Sequence, residues 1–146
     1  MTESVIKRRP AELPSPLALA YLGDAVYELQ VRKFLIQSGI LKVQKLHRLA
    51  VELVKAPAQL QLLRWLEGQL DEEELEWVRR GRNADSGKCP KSTDVQTYRL
   101  ATGFECLVGY WSLQSPERLM LLEPYLKSWL DARSGHATKK EVSVDC

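Results

Sequence analysis

The sequence predicts an all-α protein, a single domain of six or seven helices without a sheet. Apolar residues recur three and four apart through successive segments. Helix-opening residues stand at the head of several of them: Ser15-Pro16, Asp71 with Glu74, and Ser115-Pro116. No segment alternates apolar and polar residues with β-branched enrichment, as a half-buried strand would. The 146 residues make one ordinary domain, long enough to bury a core without staples.

Residues 1–13 read as a loose basic arm containing Lys7-Arg8-Arg9. Ser15 then caps a first helix that Pro16 opens and Ser38-Gly39 ends. Its apolar residues, from Leu17 through Tyr21 and Leu29 to Leu35, cover more than one face, which predicts a mostly buried helix. Val43, Leu46, Ala50, Leu53 and Val54 form one stripe of a second helix over about 42–55, which Pro57 punctuates. A third segment runs through Leu60, Leu63 and Trp65 to Gly68. Asp71 and Glu74 form a capping box for a fourth, ending at Arg80-Gly81. Residues 82–93 read as a polar loop, followed by a fifth helix over about 94–113. Ser115-Pro116 caps a sixth, which Pro124 kinks or splits before about residue 132. The domain thus spans 14–132, and 133–146 reads as a disordered tail.

Composition removes several classes. Hydrophobic residues at 45 % and charged ones at 27 % place the chain among globular proteins and not disordered ones. Three scattered cysteines, with no CxxC or Cys/His ligand spacing, argue against a disulfide framework or a zinc site and fit a reducing compartment. The polar first ten residues carry no secretory apolar run, and no apolar stretch reaches 18 residues, so no membrane span is expected.

Two carboxylates stand in unusual company. Asp24 shares its helix face with Leu17, Ala20, Tyr21, Tyr27, Glu28 and Val31. Glu105 shares its face with Ala101, Thr102, Val108, Gly109 and Ser112. Interior helical glycine costs about 1 kcal/mol against alanine, so Gly23, Gly103 and Gly109 call for a reason. Close helix approach supplies one, and it would bring Asp24 and Glu105 together. Converging anions then require a cation between them, and a hard divalent ion such as Mg²⁺ suits carboxylate ligands. The plainer reading pairs each acid with a base such as Arg32, Lys33 or Arg99. Glu28, one turn beyond Asp24, is either a third ligand or an ordinary ion-paired residue.

Charge is unevenly placed although the chain carries a net +2. Residues 67–76 hold six acids and no base; residues 77–99 hold six bases and two acids, a local +4. The helix dipole accounts for Arg79 and Arg80. It does not account for Arg82, Lys88 and Lys91, carried into a loop with Asn83 and Gly87. Such a loop suits phosphate contacts. No aromatic residue interleaves with these bases, which favours a duplex read by shape over a stacked single strand. His47 reads as a packing or capping residue, His136 falls in the tail, the four tryptophans sit at core spacings, and Cys106 reads as a small core residue.

The segment Leu22-Gly23-Asp24-Ala25-Val26-Tyr27-Glu28 resembles the signature helix of ribonuclease III catalytic domains. Gly103-Phe104-Glu105-Cys106-Leu107-Val108-Gly109 resembles that family's second acidic motif. The family has further acids where this chain has Ala20 and Thr102, and a double-stranded-RNA-binding domain that this sequence does not carry. These departures, with Arg79–Ala84 and Pro90–Arg99, are similar to the Mini-ribonuclease III subfamily, over about residues 14–131. The resemblance implies an all-helical, cytoplasmic homodimer that cuts double-stranded RNA with Mg²⁺ and matures the precursor of 23S large-subunit ribosomal RNA. It places Asp24 and Glu105 at the catalytic metal positions. Arg79, Arg80, Arg82, Asn83, Lys88 and Lys91 are the expected RNA contacts. Two carboxylates account for one Mg²⁺; a second ion would need RNA oxygens or Glu28. The rival expectations are a non-catalytic, dimeric RNA-binding relative, and a protein-interaction module in which both acids are salt-bridged.

Overall fold

The structure, a computed structural model, describes residues 12–84, 87, 89, 91 and 93–138. Lys7-Arg8-Arg9 of the arm, Lys88, and the tail from residue 139 lie outside them. Six α-helices follow in order: α1 (Pro16–Gln37), α2 (Val43–Val54), α3 (Ala56–Leu66), α4 (Glu72–Asn83), α5 (Val95–Gln114) and α6 (Leu122–Thr138). Short 3₁₀ turns at Glu67–Gln69 and Pro116–Leu121 join α3 to α4 and α5 to α6. There is no strand among the described residues.

The capping chemistry falls where the sequence places it. Ser15 Oγ accepts from the Ala18 N–H at 3.2 Å. The Asp71 side chain accepts from the Glu74 N–H at 2.8 Å, and the Glu74 carboxylate accepts from the Asp71 N–H at 2.9 Å, closing the box. Asp94 caps α5 through the Thr97 N–H and hydroxyl, at 2.8 and 2.9 Å.

α5 is the axis of the fold and packs against α1, α4 and α3. Phe104, Cys106, Leu107, Val108 and Trp111 are fully buried along it, against Leu19, Tyr27, Val31 and Leu35 of α1. Glycines set how near the neighbouring helices come. A Cβ on Gly23 would stand 1.8 Å from the Glu105 carbonyl oxygen, and one on Gly109 would stand 2.0 Å from the Leu19 carbonyl oxygen. A second close crossing joins α4 to α5. A Cβ on Gly81 would meet the Cys106 Cβ at 2.6 Å, and one on Gly103 the Val78 carbonyl oxygen at 2.7 Å.

Glu74 ties α4, α5 and the second 3₁₀ turn together. It is 3 % exposed. It accepts from Trp111 Nε1 at 2.7 Å and from Arg118 at 2.6 and 2.7 Å. Burial alone would raise its pKa, but hydrogen bonds from Arg118, the Asp71 N–H and Trp111 outweigh burial and hold the carboxyl below its usual range.

Several expectations need correction. α1 is not mostly buried: Tyr21 is 85 % exposed and Leu29 53 %, and Ile36, 56 % exposed, lines an open groove beside α2. Helix α4 does not stop at Gly81 but runs through it to Asn83, because Gly81 serves a helix crossing and not a terminus. Pro57 lies in the first turn of α3, where its missing N–H has no intrahelical role. The last helix divides at Leu121–Leu122, ahead of Pro124, which sits in the first turn of α6. α6 then continues to Thr138, past the expected end at 132, and takes His136 with it. Arg133 helps carry it there, pairing with Glu52 and lying 4.4 Å over the Trp129 ring. Trp77 and Trp111 are core residues, whereas Trp65 is 41 % exposed and only edges Tyr125.

Candidate active site

The glycine crossing of α1 and α5 brings the two acids together. Gly23 lies against the Glu105 backbone, and the next residue is Asp24. Asp24 is exposed and Glu105 is half-buried. Among the described residues neither makes an ion pair, so the plainer reading of lysine or arginine partners does not hold there. Burial, then the negative charge of Asp24, push the Glu105 carboxyl up to about 8; a hydrogen bond from Gln59 pulls the other way. Two adjoining hard oxygen donors without an ion-pair partner among the described residues are a site that favours a cation.

Behind Glu105 stands Gln59 of α3, 2 % exposed. Its Nε2 donates to Glu105 Oε2 and to the Val54 carbonyl, both at 3.3 Å. Its Oε1 is buried with no hydrogen-bond partner. An orphaned amide oxygen costs about 1–3 kcal/mol. The sequence reading passed over Gln59, although the signal that exposed Asp24 was present: Gln59 is a polar residue in register with Leu62, Leu63 and Leu66. A cleft of about 530 Å³ opens beside Glu105, lined by Lys55, Pro57, Gln59, Thr93, Tyr98 and Thr102 among others.

The two positions lacking an acid are accounted for locally. Ala20 is 5 % exposed against the core. Thr102 Oγ1 donates to the Tyr98 carbonyl at 3.0 Å. Glu28 is drawn away to Arg32, at 2.6 Å. Among the described residues no group of three His, Cys, Asp or Glu side chains converges, so the structure brings together Asp24 and Glu105 without Glu28.

Residues 17–116 match the ribonuclease III domain. The chain belongs to the ribonuclease III family. Relatives named Mini-ribonuclease 3 are 58 % identical over 105 residues in Desulfitobacterium hafniense, covering 72 % of this chain and 66 % of that one. In Enterococcus faecalis the identity is 46 % over 127 residues, covering 85 % and 93 %. A crystal structure of a Fusobacterium nucleatum protein superposes with a TM-score of 0.70 at 26 % identity, over 86 % of this chain and 99 % of that one. The protein is thus an endoribonuclease of the Mini-ribonuclease 3 group.

In this ribonuclease III-family domain the basic residues divide into two sets. Arg79 is engaged by Glu76 at 3.0 and 2.5 Å, and Arg80 by the same carboxylate at 3.3 Å while lying 4.7 Å over the Trp77 ring. Glu76 is held low, first by the Arg79 hydrogen bond, and Arg79 is raised by the same contact. Among the described residues Arg82 meets only its neighbour, Asn83 Oδ1, at 3.3 Å; Asn83 and Lys91 are exposed. His47 is exposed at the rim of an apolar groove between α1 and α2. Burial pushes the Cys106 thiol up to about 12, which suits packing and not nucleophilic attack. No described helix is long and apolar enough to cross a membrane.

Proposed function

We propose that this protein is a Mg²⁺-dependent endoribonuclease that cuts double-stranded RNA as a cytoplasmic homodimer. The observation that carries the reading is the Asp24–Glu105 pair, two adjoining carboxylates without a described cationic partner. These residues would hold the ion. When bound, Mg²⁺ supplies charge neutralisation at the scissile phosphate and makes a coordinated water more acidic. Exposed Arg82, Asn83 and Lys91, with Lys88 outside the described residues, hold the duplex through its phosphates. Arg79 and Arg80 share that task once RNA competes with Glu76. A backbone-and-shape contact of this kind suits an A-form duplex. Maturation of the 23S ribosomal RNA precursor is what the resemblance to the bacterial subfamily implies. The homodimer is supported by the uncovered apolar residues of α1.

The test is a long RNA duplex incubated with the protein in Mg²⁺ or in EDTA, beside the Asp24→Asn variant. The expected outcome is cleavage only with both the metal and Asp24, while the variant stays folded and still retains RNA. Cleavage by Asp24→Asn at the wild-type rate would remove the metal site. Retention of RNA without cleavage by the wild type would make the protein a non-catalytic relative.

A further inference from the structure

We infer that Gln59 is a positioning residue for the acid pair: from its buried place near the start of α3 it fixes the Oε2 oxygen of Glu105 and so the geometry in which Glu105 meets a divalent ion. The inference rests on the reading of Asp24 and Glu105 as ion ligands. Gln59 spans three helices. It belongs to α3, donates to the last carbonyl of α2 at Val54, and donates to Glu105 of α5, both at 3.3 Å. One –NH₂ group therefore holds the carboxylate against a backbone anchor that cannot swing away. Asp24, the other member of the pair, is exposed and shares a side-chain hydrogen bond with Glu105 itself.

The choice of residue is informative because it is a poor choice for stability. Gln59 shares its helix face with Leu62, Leu63 and Leu66, all fully buried. An apolar side chain there would complete the core. Glutamine instead leaves Oε1 without a partner, the one such buried side-chain atom among the described residues. A side chain that lowers stability while touching a catalytic carboxylate is the signature of a residue kept for function. A neutral donor also does what the alternatives cannot. A lysine would neutralise Glu105 and compete with the ion, and a glutamate would add a third negative charge.

The decisive variant is Gln59→Met, which keeps length and lack of branching and removes the donor. Gln59→Leu is the second variant. Three quantities are measured on the full chain: Mg²⁺ affinity by calorimetry without RNA, metal-free Tm, and kcat and KM on an RNA duplex. The expected result is a Mg²⁺ affinity weaker by about tenfold and a similar fall in kcat. KM for the duplex should stay within about twofold, because phosphate contacts are untouched. Metal-free Tm should be equal to or above the wild type. Wild-type Mg²⁺ affinity in either variant, or failure of both to fold, would show Gln59 to be a structural cap and overturn the inference. A wild type that binds no Mg²⁺, or an Asp24→Asn variant that binds it as well as the wild type, would instead sink the reading of the acid pair, and the inference with it.

Discussion

Glu105 is half-buried beside a second carboxylate, and its proton is held well above the usual range, to about 8 from an ordinary 4.5. That fact has a signed consequence for the metal-free protein. The folded state binds this proton more tightly than the unfolded state does. Its contribution to stability is complete below about pH 4.5 and is lost as pH rises through about 8. Glu105→Gln has no proton to lose. Its stability should therefore match the wild type near pH 4.5 and exceed it increasingly toward pH 8, by on the order of 1–3 kcal/mol, with a correspondingly higher Tm. Added Mg²⁺ should raise the Tm of the wild type at pH 8 and leave Glu105→Gln nearly unmoved. Thermal melts across pH, with and without Mg²⁺, check both; a constant offset at every pH would mean that burial and Asp24 together do not hold the Glu105 proton above its usual range. The pair was legible in the sequence because an acid surrounded by Gly and Ala on an apolar face is costly, and cost is visible in residue type. What the residue types did not show is the asymmetry, with Asp24 exposed and Glu105 half-buried. That depends on which helix lies outside the other.

At the scale of elements, the close crossings are made by glycine. Gly23 and Gly109 let α1 and α5 touch backbone to backbone, and Gly81 with Gly103 do the same for α4 and α5. Added methyl groups there would lie at 1.8 and 2.0 Å from carbonyl oxygens that belong to helices and cannot yield like a side chain. Gly23→Ala and Gly109→Ala should each destabilise by about 3 kcal/mol or more, as overpacking with backbone displacement does. Both should also lose Mg²⁺ binding, because the same crossing sets the distance between the acids. Gly68→Ala is the control: nothing lies within 4 Å of its Cβ, so its Tm should be unchanged or slightly raised. Denaturant midpoints for the three variants measure this, and equal midpoints would dissolve the link between crossing and site. Sequence reading found the close approach from Gly23 and Gly109 but took Gly81 for a helix end. A glycine at a crossing and a glycine at a terminus look alike until the partner helix is known, and Arg79-Arg80 ahead of Gly81 reinforced the terminal reading.

For the molecule as a whole, α1 is buried on one side and leaves apolar residues open on another, where the sequence predicts a mostly buried helix. Tyr21, Leu29 and Ile36 are 85, 53 and 56 % exposed, with Leu41 and Val43 nearby in sequence at 82 and 75 %. A helix apolar on more than one face must be covered on each, but residue pattern does not say whether the cover comes from its own chain or from another copy. The described helices occupy one side only, which leaves a second copy as the cover the proposed homodimer would provide. Tyr21 and Leu29 lie three residues before and five after Asp24, so an interface through them would set two acid pairs near one two-fold axis. Two sites so placed would meet the two strands of one duplex, and cleavage of both would follow from a single encounter. Replacing Tyr21 and Leu29 together by Ser removes apolar surface without adding charge. The expected variant is folded, monomeric in sedimentation equilibrium at concentrations where the wild type is dimeric, and inclined to leave nicked duplexes where the wild type leaves double-strand cuts. A variant that remains dimeric would move the interface elsewhere on the surface. A monomer that still cuts both strands at the wild-type ratio would separate dimer formation from strand coordination, since each strand would then be reached by an independent encounter.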